Sequence, residues 1–184
     1  MGWRLEREVQ EIFRAEAPTD TAMAKVVSRV AAAFGALEAA IYLQEQGQTG
    51  AQYRRVAGQW PWPWEPTTSY GPADDGLTAW TIRHGKPLCF LDLNYFEEER
   101  QPDHVEIDWQ HKERLALAAQ AHLQSDTIPL LSFIAVPIHN RSNQTIGAIR
   151  CCITPAGPHL FDNEYLGILK SVAGQIAERL TAAH

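Results

Sequence analysis

The sequence predicts an α+β fold, an antiparallel sheet flanked by helices, and three observations carry that reading. Two pairs of short apolar segments, 39–43 with 52–57 and 131–139 with 145–153, are each joined by a short polar turn, which is how antiparallel neighbours connect. Both ends of the chain carry helical periodicity instead. The 184 residues, 45% hydrophobic and 21% charged, suit one globular domain, and no repeat, low-complexity tract or linker divides them.

Leu5, Val9, Ile12 and Phe13 recur at helical spacing and predict an amphipathic helix ending near Pro18. Thr19 or Asp20 can cap a second helix, which carries Met23, Val26, Val27, Val30 and Phe34 on one side and stops at Gly35. Residues 39–43 form a strand, 46–50 (QGQTG) a turn and 52–57 its partner. Prolines at 61, 63 and 66 then forbid a helix or inner strand, leaving an extended loop with indoles at Trp60, Trp62 and Trp64. Asp74, Asp75 and Gly76 are read as capping a short helix through Leu77, Trp80, Thr81 and Ile82, ended by Gly85. A short strand follows over 87–91, then an acidic irregular stretch (92–109) and an Ala/Leu/Gln-rich helix (110–124).

The strand over 131–139 is apolar on both faces, with Ile134, Val136 and Ile138 alternating with Phe133, Ala135 and Pro137, so it is an inner strand covered on both sides. Pro137 cannot donate to a ladder, so one neighbour must be missing or bulged there. Gly147 in the partner strand allows a bulge or a close approach. Pro155 to Pro158 breaks the chain, and Asp162 caps a last helix running to about Leu180.

The composition excludes several functions. A net charge of −6 with no Lys/Arg-rich run argues against nucleic acid as a partner. No apolar run approaches the roughly 20 residues needed to span a bilayer, and the start lacks a signal-peptide core. Glu6 stands where a myristoylation signal wants Ser or Thr. The expectation is a cytoplasmic protein with no membrane partner. Cys89, Cys151 and Cys152 are an odd count without a CxxC pair, so neither a disulfide framework nor a structural zinc site is expected. Walker, Rossmann and G-x-S-x-G motifs are absent from the sequence.

Residues 132–139 (SFIAVPIH), a polar turn and 144–150 (QTIGAIR), followed by Phe161 and Asp162 at the start of a long helix, resemble the signature hairpin of GAF domains. Gly76-Leu77-Thr78-Ala79-Trp80, then Gly85-Lys86-Pro87-Leu88, is similar to the same family's helix–turn–strand element, and the likeness covers roughly residues 19–183. It implies a GAF/PAS-like six-stranded antiparallel sheet with helices on both faces. Residues 1–18 would be an N-terminal dimer or signalling helix, and 19–184 the domain proper. It also implies a non-catalytic sensory module of two-component or cyclic-nucleotide signalling. A small molecule would bind under segments 60–75, 76–84 and 92–130, and terminal helices would report it across a homodimer to a flanking output domain.

Several residues then become candidates. Trp62, Trp80 and Trp109 could stack on a planar ligand, although the indoles of 60–64 could equally pin their own loop. Arg83 could pair with a phosphate or carboxylate, and Cys89, Asp92, Asn94, Tyr95 and His111 fall on the pocket side of the resemblance. Leu166, Leu169, Ala173, Ile176 and Leu180 keep 3-4-3-4 spacing, and Leu5, Val9 and Ile12 are similar. These stripes serve either a dimer seam or the domain's own sheet. His104, Asp108, His111 and His122 lack any tight metal-ligand spacing and read as surface residues, so no metal is expected. The cofactor stays unassigned: the Cys-His dipeptide of bilin-binding relatives does not occur, and haem on His111 or His122 is left open.

Two alternatives accompany the sensor reading. One is a ligand-free dimerisation module with its pocket filled by its own aromatics. The other resembles the family's free methionine sulfoxide reductases, but Thr78 stands where those enzymes carry a cysteine and their Ala-Cys-Asp element is missing. That reading requires Cys89 and Cys152 within disulfide range. Side by side in one strand, Cys151 and Cys152 must face opposite ways, Cys151 with Ile149 and Ile153 in the core.

Overall fold

The computed structural model describes residues 2–16, 19–45, 52–60, 69–71, 74, 76–90, 132–153 and 161–182. The elements are α1 (Gly2–Ala15), α2 (Asp20–Phe34), β1 (Glu38–Glu45), β2 (Gln52–Gln59), β3 (Ser69–Tyr70), α3 (Leu77–His84), β4 (Leu88–Phe90), β5 (Ser132–His139), β6 (Thr145–Ile153) and α4 (Asn163–Ala182). The six strands form one antiparallel sheet in the order β3-β2-β1-β6-β5-β4. The fold is therefore α+β as expected. The residues alone predicted five strands, and β3 is the missing one, too short at two residues to show a period.

Local chemistry sets most boundaries. The Thr19 hydroxyl accepts the Ala22 N–H at the start of α2, and Asp162 Oδ1 accepts the N–H groups of Glu164 (2.9 Å) and Tyr165 (3.2 Å) at the start of α4. Gly35 and Gly85 end α2 and α3 in the left-handed region, φ 59° and 60°. The expected aspartate cap of α3 is not made by Asp74. Gly76 holds the cap position without a side-chain bond, and the Asp74 carboxylate accepts the Gly71 N–H at 2.7 Å instead. Pro137 behaves as its missing donor requires, because β4 pairs with β5 only from Phe133 to Ala135 and leaves that flank of Pro137 without a ladder partner.

Period-2 alternation gives the sheet two different faces. One face, with Ala39, Ile41, Ile134, Val136, Ile138, Ile149, Cys151 and Ile153, packs beneath α1, α2 and α4 in a single cluster anchored by Phe13, Phe34 and Phe161. The other face carries Ala40, Tyr42 and Ala148 and is covered by Ala79 and Ile82 of α3.

Of the two roles open to the apolar stripes of α1 and α4, the protomer's own packing occupies the one on the sheet. Leu5, Val9, Leu166, Leu169, Ala173 and Ile176 are buried within the protomer, and Ile12 and Leu180 pack against the same cluster. A helix lying on a sheet needs the same apolar stripe as a coiled coil, and here the sheet takes it. Leu5, Val9 and Phe13 of α1 belong to the same cluster as the sheet and the last helix. The outward faces are polar, apart from Trp3, which is 69% exposed. No described helix is long and apolar enough to cross a membrane.

Candidate functional site

β6 runs through the middle of the sheet and is apolar except for one charge. Arg150 is only 6% exposed, and register explains how it is housed. It lies opposite Ala40 of β1 and Ala135 of β5, two of the smallest side chains available. On the same face of β1, its diagonal neighbours are Glu38, opposite Cys152, and Tyr42, opposite Ala148. The Arg150 Nη2 group donates to Glu38 Oε1, which is itself 5% exposed. The Tyr42 ring lies 5.7 Å from the guanidinium carbon and packs in turn against Tyr70, with the ring centroids 5.0 Å apart and the planes tilted by 59°. Thr78 of α3 meets Nη1 at 3.4 Å, a long contact. Among the described residues, Nε has no hydrogen-bond partner.

The electrostatics follow from this enclosure. Burial opposes the charge on Arg150, but the Glu38 carboxylate, and after it Tyr42, more than offset that, so the guanidinium's affinity for its proton rises. Burial, first, raises the pKa of the Tyr42 phenol, with Arg150 opposing. The result is a buried charge pair on the face opposite the terminal helices, with the arginine's hydrogen-bonding capacity only partly used.

The sequence-predicted ligand residues fare unevenly. Trp80 is buried on α3 with its ring stacked on His84 at 4.6 Å and its Nε1 without a hydrogen-bond partner. Arg83 is exposed, and its guanidinium donates to the Asp74 carbonyl, which braces the entry to α3. Cys89 faces the other way: it belongs to the cluster under the terminal helices, with its thiol directed at the Phe161 and Asp162 carbonyls. The Trp60 ring lies beneath Arg55, 4.4 Å from the guanidinium carbon. Trp62, Trp64, Asp92, Asn94, Tyr95, His104, Asp108, Trp109, His111 and His122 lie outside the described residues. Sequence reasoning missed Glu38 and Arg150, although a lone arginine inside TIGAIRCCI was the available signal.

An open cleft of about 260 Å³ lies on the helix side, where Pro137 and His139 at the uncovered end of β5 face Lys170 and Gly174 of α4. Among the described residues, no group of three or more His, Cys, Asp or Glu side chains could hold a metal ion.

The three thiols are free and buried. Cys89 sits opposite Ile134, and Ile134 opposite Cys151, while Cys152 points to the other face. Cys152 lies two strands away and one residue out of register, so its Cα is roughly 10 Å from that of Cys89, beyond the roughly 7 Å limit for a disulfide. Burial pushes the Cys89 thiol up to about 12, with the Asp162 carboxylate adding to it. Burial raises the Cys151 and Cys152 thiols as well. All three are expected to react negligibly with a thiol reagent at pH 8 and to appear together on denaturation. A native thiol titrating near its ordinary value would contradict this placement. Because the native values lie above the unfolded ones, their contribution to stability is intact below pH about 8.5 and declines as pH rises from there towards 12.

A family model described as GAF domain matches residues 18–180. Comparison with curated proteins returned no match. Among solved structures, the chain is similar to the A. aeolicus nlh2 GAF domain in an inactive state, with TM-score 0.66 and 12% identity over 100% of this chain and 97% of that one. It is also similar to the GAF domain of a phosphoenolpyruvate-protein phosphotransferase from Acinetobacter, with TM-score 0.68 and 19% identity over 98% and 92%. A free methionine-R-sulfoxide reductase from Neisseria meningitidis, solved with its substrate, superposes with TM-score 0.62 and 18% identity over 97% and 85%. At these identities the likeness concerns the fold.

Proposed function

Because this chain belongs to the GAF domain family, we propose that it is a non-catalytic sensory module that binds a small molecule on the α3-covered face of its sheet and reports it through α1 and α4 in a homodimer. The observation that carries this reading is the buried, incompletely satisfied Arg150. Globular cores seldom keep such a group without a use for it. Its strand also supplies the route outward, since Ile149 and Cys151, its immediate neighbours, pack directly into the cluster under the terminal helices. A change in how Arg150 is held therefore reaches α1, α2 and α4 through a close-packed core.

The dimer proposed here uses the outer faces of the terminal helices, not the buried stripes. Trp3 on α1 is the one large exposed apolar side chain among the described residues, and Gly174 and Glu178 face outward on α4. The buried cysteines, with Cys89 out of disulfide range of Cys152, favour a binding role over thiol chemistry, and free thiols accord with a reducing, cytoplasmic setting. An output domain of a signalling protein is the proposed recipient of the signal.

The test combines native mass spectrometry and an absorption spectrum of the purified protein with light scattering after size exclusion. A dimer carrying a releasable small-molecule adduct is the expected result. A bare monomer, unchanged by addition of a cell extract's small-molecule fraction, would sink the sensor reading.

A further inference from the structure

The guanidinium of Arg150 presents its donors along edges, and the edge formed by Nε and Nη2 is one of the two that can grip a planar carboxylate at two points. Glu38 touches only Nη2, while Nε is left without a hydrogen-bond partner inside a group 6% exposed. The third nitrogen has only the 3.4 Å contact to Thr78. A charge pair selected purely for stability would fill that edge, because an unmet charged donor in a protein interior carries a full desolvation cost. The side chains opposite Arg150 on both neighbouring strands are alanines, Ala40 and Ala135, so nothing bulky in the sheet stands across from it.

We propose that the ligand of this domain is a small carboxylic acid, and that its carboxylate takes the Nε–Nη2 edge of Arg150 by displacing Glu38. The inference rests on the sensory reading above and adds the ligand's chemistry and the switching step to it. Glu38 then acts as a built-in competitor. It keeps the buried charge compensated when the site is empty and sets the ligand concentration at which the exchange occurs. Glu38 opens β1 immediately after the α2–β1 turn, where Leu37 N–H donates to the Cys152 carbonyl. Its release therefore acts on the junction between α2 and the sheet.

The experiment follows the Arg150 Nε–H signal in a proton–nitrogen correlation spectrum of the full chain, identified by its loss in Arg150→Lys, during titration with succinate. Inorganic phosphate and sodium chloride at matched ionic strength are the comparison arms. A saturable shift with succinate, absent with chloride, is expected. In Glu38→Gln the half-saturation concentration should fall on the order of tenfold, and Glu38→Asp, which keeps a carboxylate, serves if the amide variant does not fold and should show a smaller change in the same direction. No shift in the wild type and either variant overturns the proposal. A response to phosphate alone overturns the carboxylate assignment. A neutral ligand retained on the purified protein without any Arg150 response leaves the sensor reading intact and removes this inference. A succinate response in a strictly monomeric protein keeps this inference and removes the homodimer from the sensor reading.

Discussion

Replacing Glu38 with leucine is expected to destabilise the protein by about 3–5 kcal/mol, because it strands the Arg150 charge in the interior with its principal counter-ion gone. Leucine keeps most of the volume, so packing contributes little to the loss. Arg150→Met is expected to cost a similar amount by stranding the carboxylate. The informative species is the double variant Glu38→Leu/Arg150→Met. Buried pairs replaced together by apolar groups are often neutral or even stabilising, so the double should recover most of what each single loses. Urea unfolding of the four proteins closes the cycle. A double variant as unstable as the sum of the singles would mean that the pair is not the dominant interaction of either side chain. The outcome also bears on function: if the apolar pair is stable, the native pair is retained for something other than stability.

Much of the fold was legible because its signals are local. Thr19, Gly35, Gly85 and Asp162 mark helix ends through bonds and backbone angles that involve a few neighbouring residues. Residues 132–153 announce a hairpin through alternation and a polar turn in which Asn140 Oδ1 accepts the N–H groups of Ser142 and Gln144. Pro137 even located the flank where β4 ends.

What was not legible depends on partners distant in sequence. The stripe from Leu166 to Leu180 has one spacing whether a second helix or the domain's own sheet covers it, so the dimer seam could not be told from the core. Cys89 sits in a three-residue strand, too short to fix which face it serves, and it turned out to face the terminal helices. The Arg150–Glu38 pair joins residues 112 positions apart and depends on the diagonal register of β1 against β6, which no local pattern specifies. Its visible trace was a charge within an apolar strand, a feature that cores tolerate only when it is paired.

That register has its own anchor, and the largest effect of any single change is expected there. A Cβ built on Gly147 would stand 2.2 Å from the backbone oxygen of Tyr42 and 2.8 Å from Leu43 Cδ2. A side-chain tip can swing aside, but a backbone oxygen in an inner strand cannot move without separating β1 from β6, the pair at the centre of the sheet. Gly147→Ala is therefore expected to cost about 3 kcal/mol, at the upper end for overpacking, and Gly147→Val to prevent native folding. Circular dichroism and thermal unfolding would register both. Gly174, with nothing within 4 Å of the corresponding position on α4, is the control, and its alanine variant is expected to gain about 0.5–1 kcal/mol from helix propensity. The same approach holds the Tyr42 segment of β1 against β6, and with it the ring that lies beside the Arg150 guanidinium. Tolerance of alanine at 147 would thus show a central strand pair with slack, and the placement of Glu38, Tyr42 and Arg150 relative to one another would have to be fixed by α3 instead.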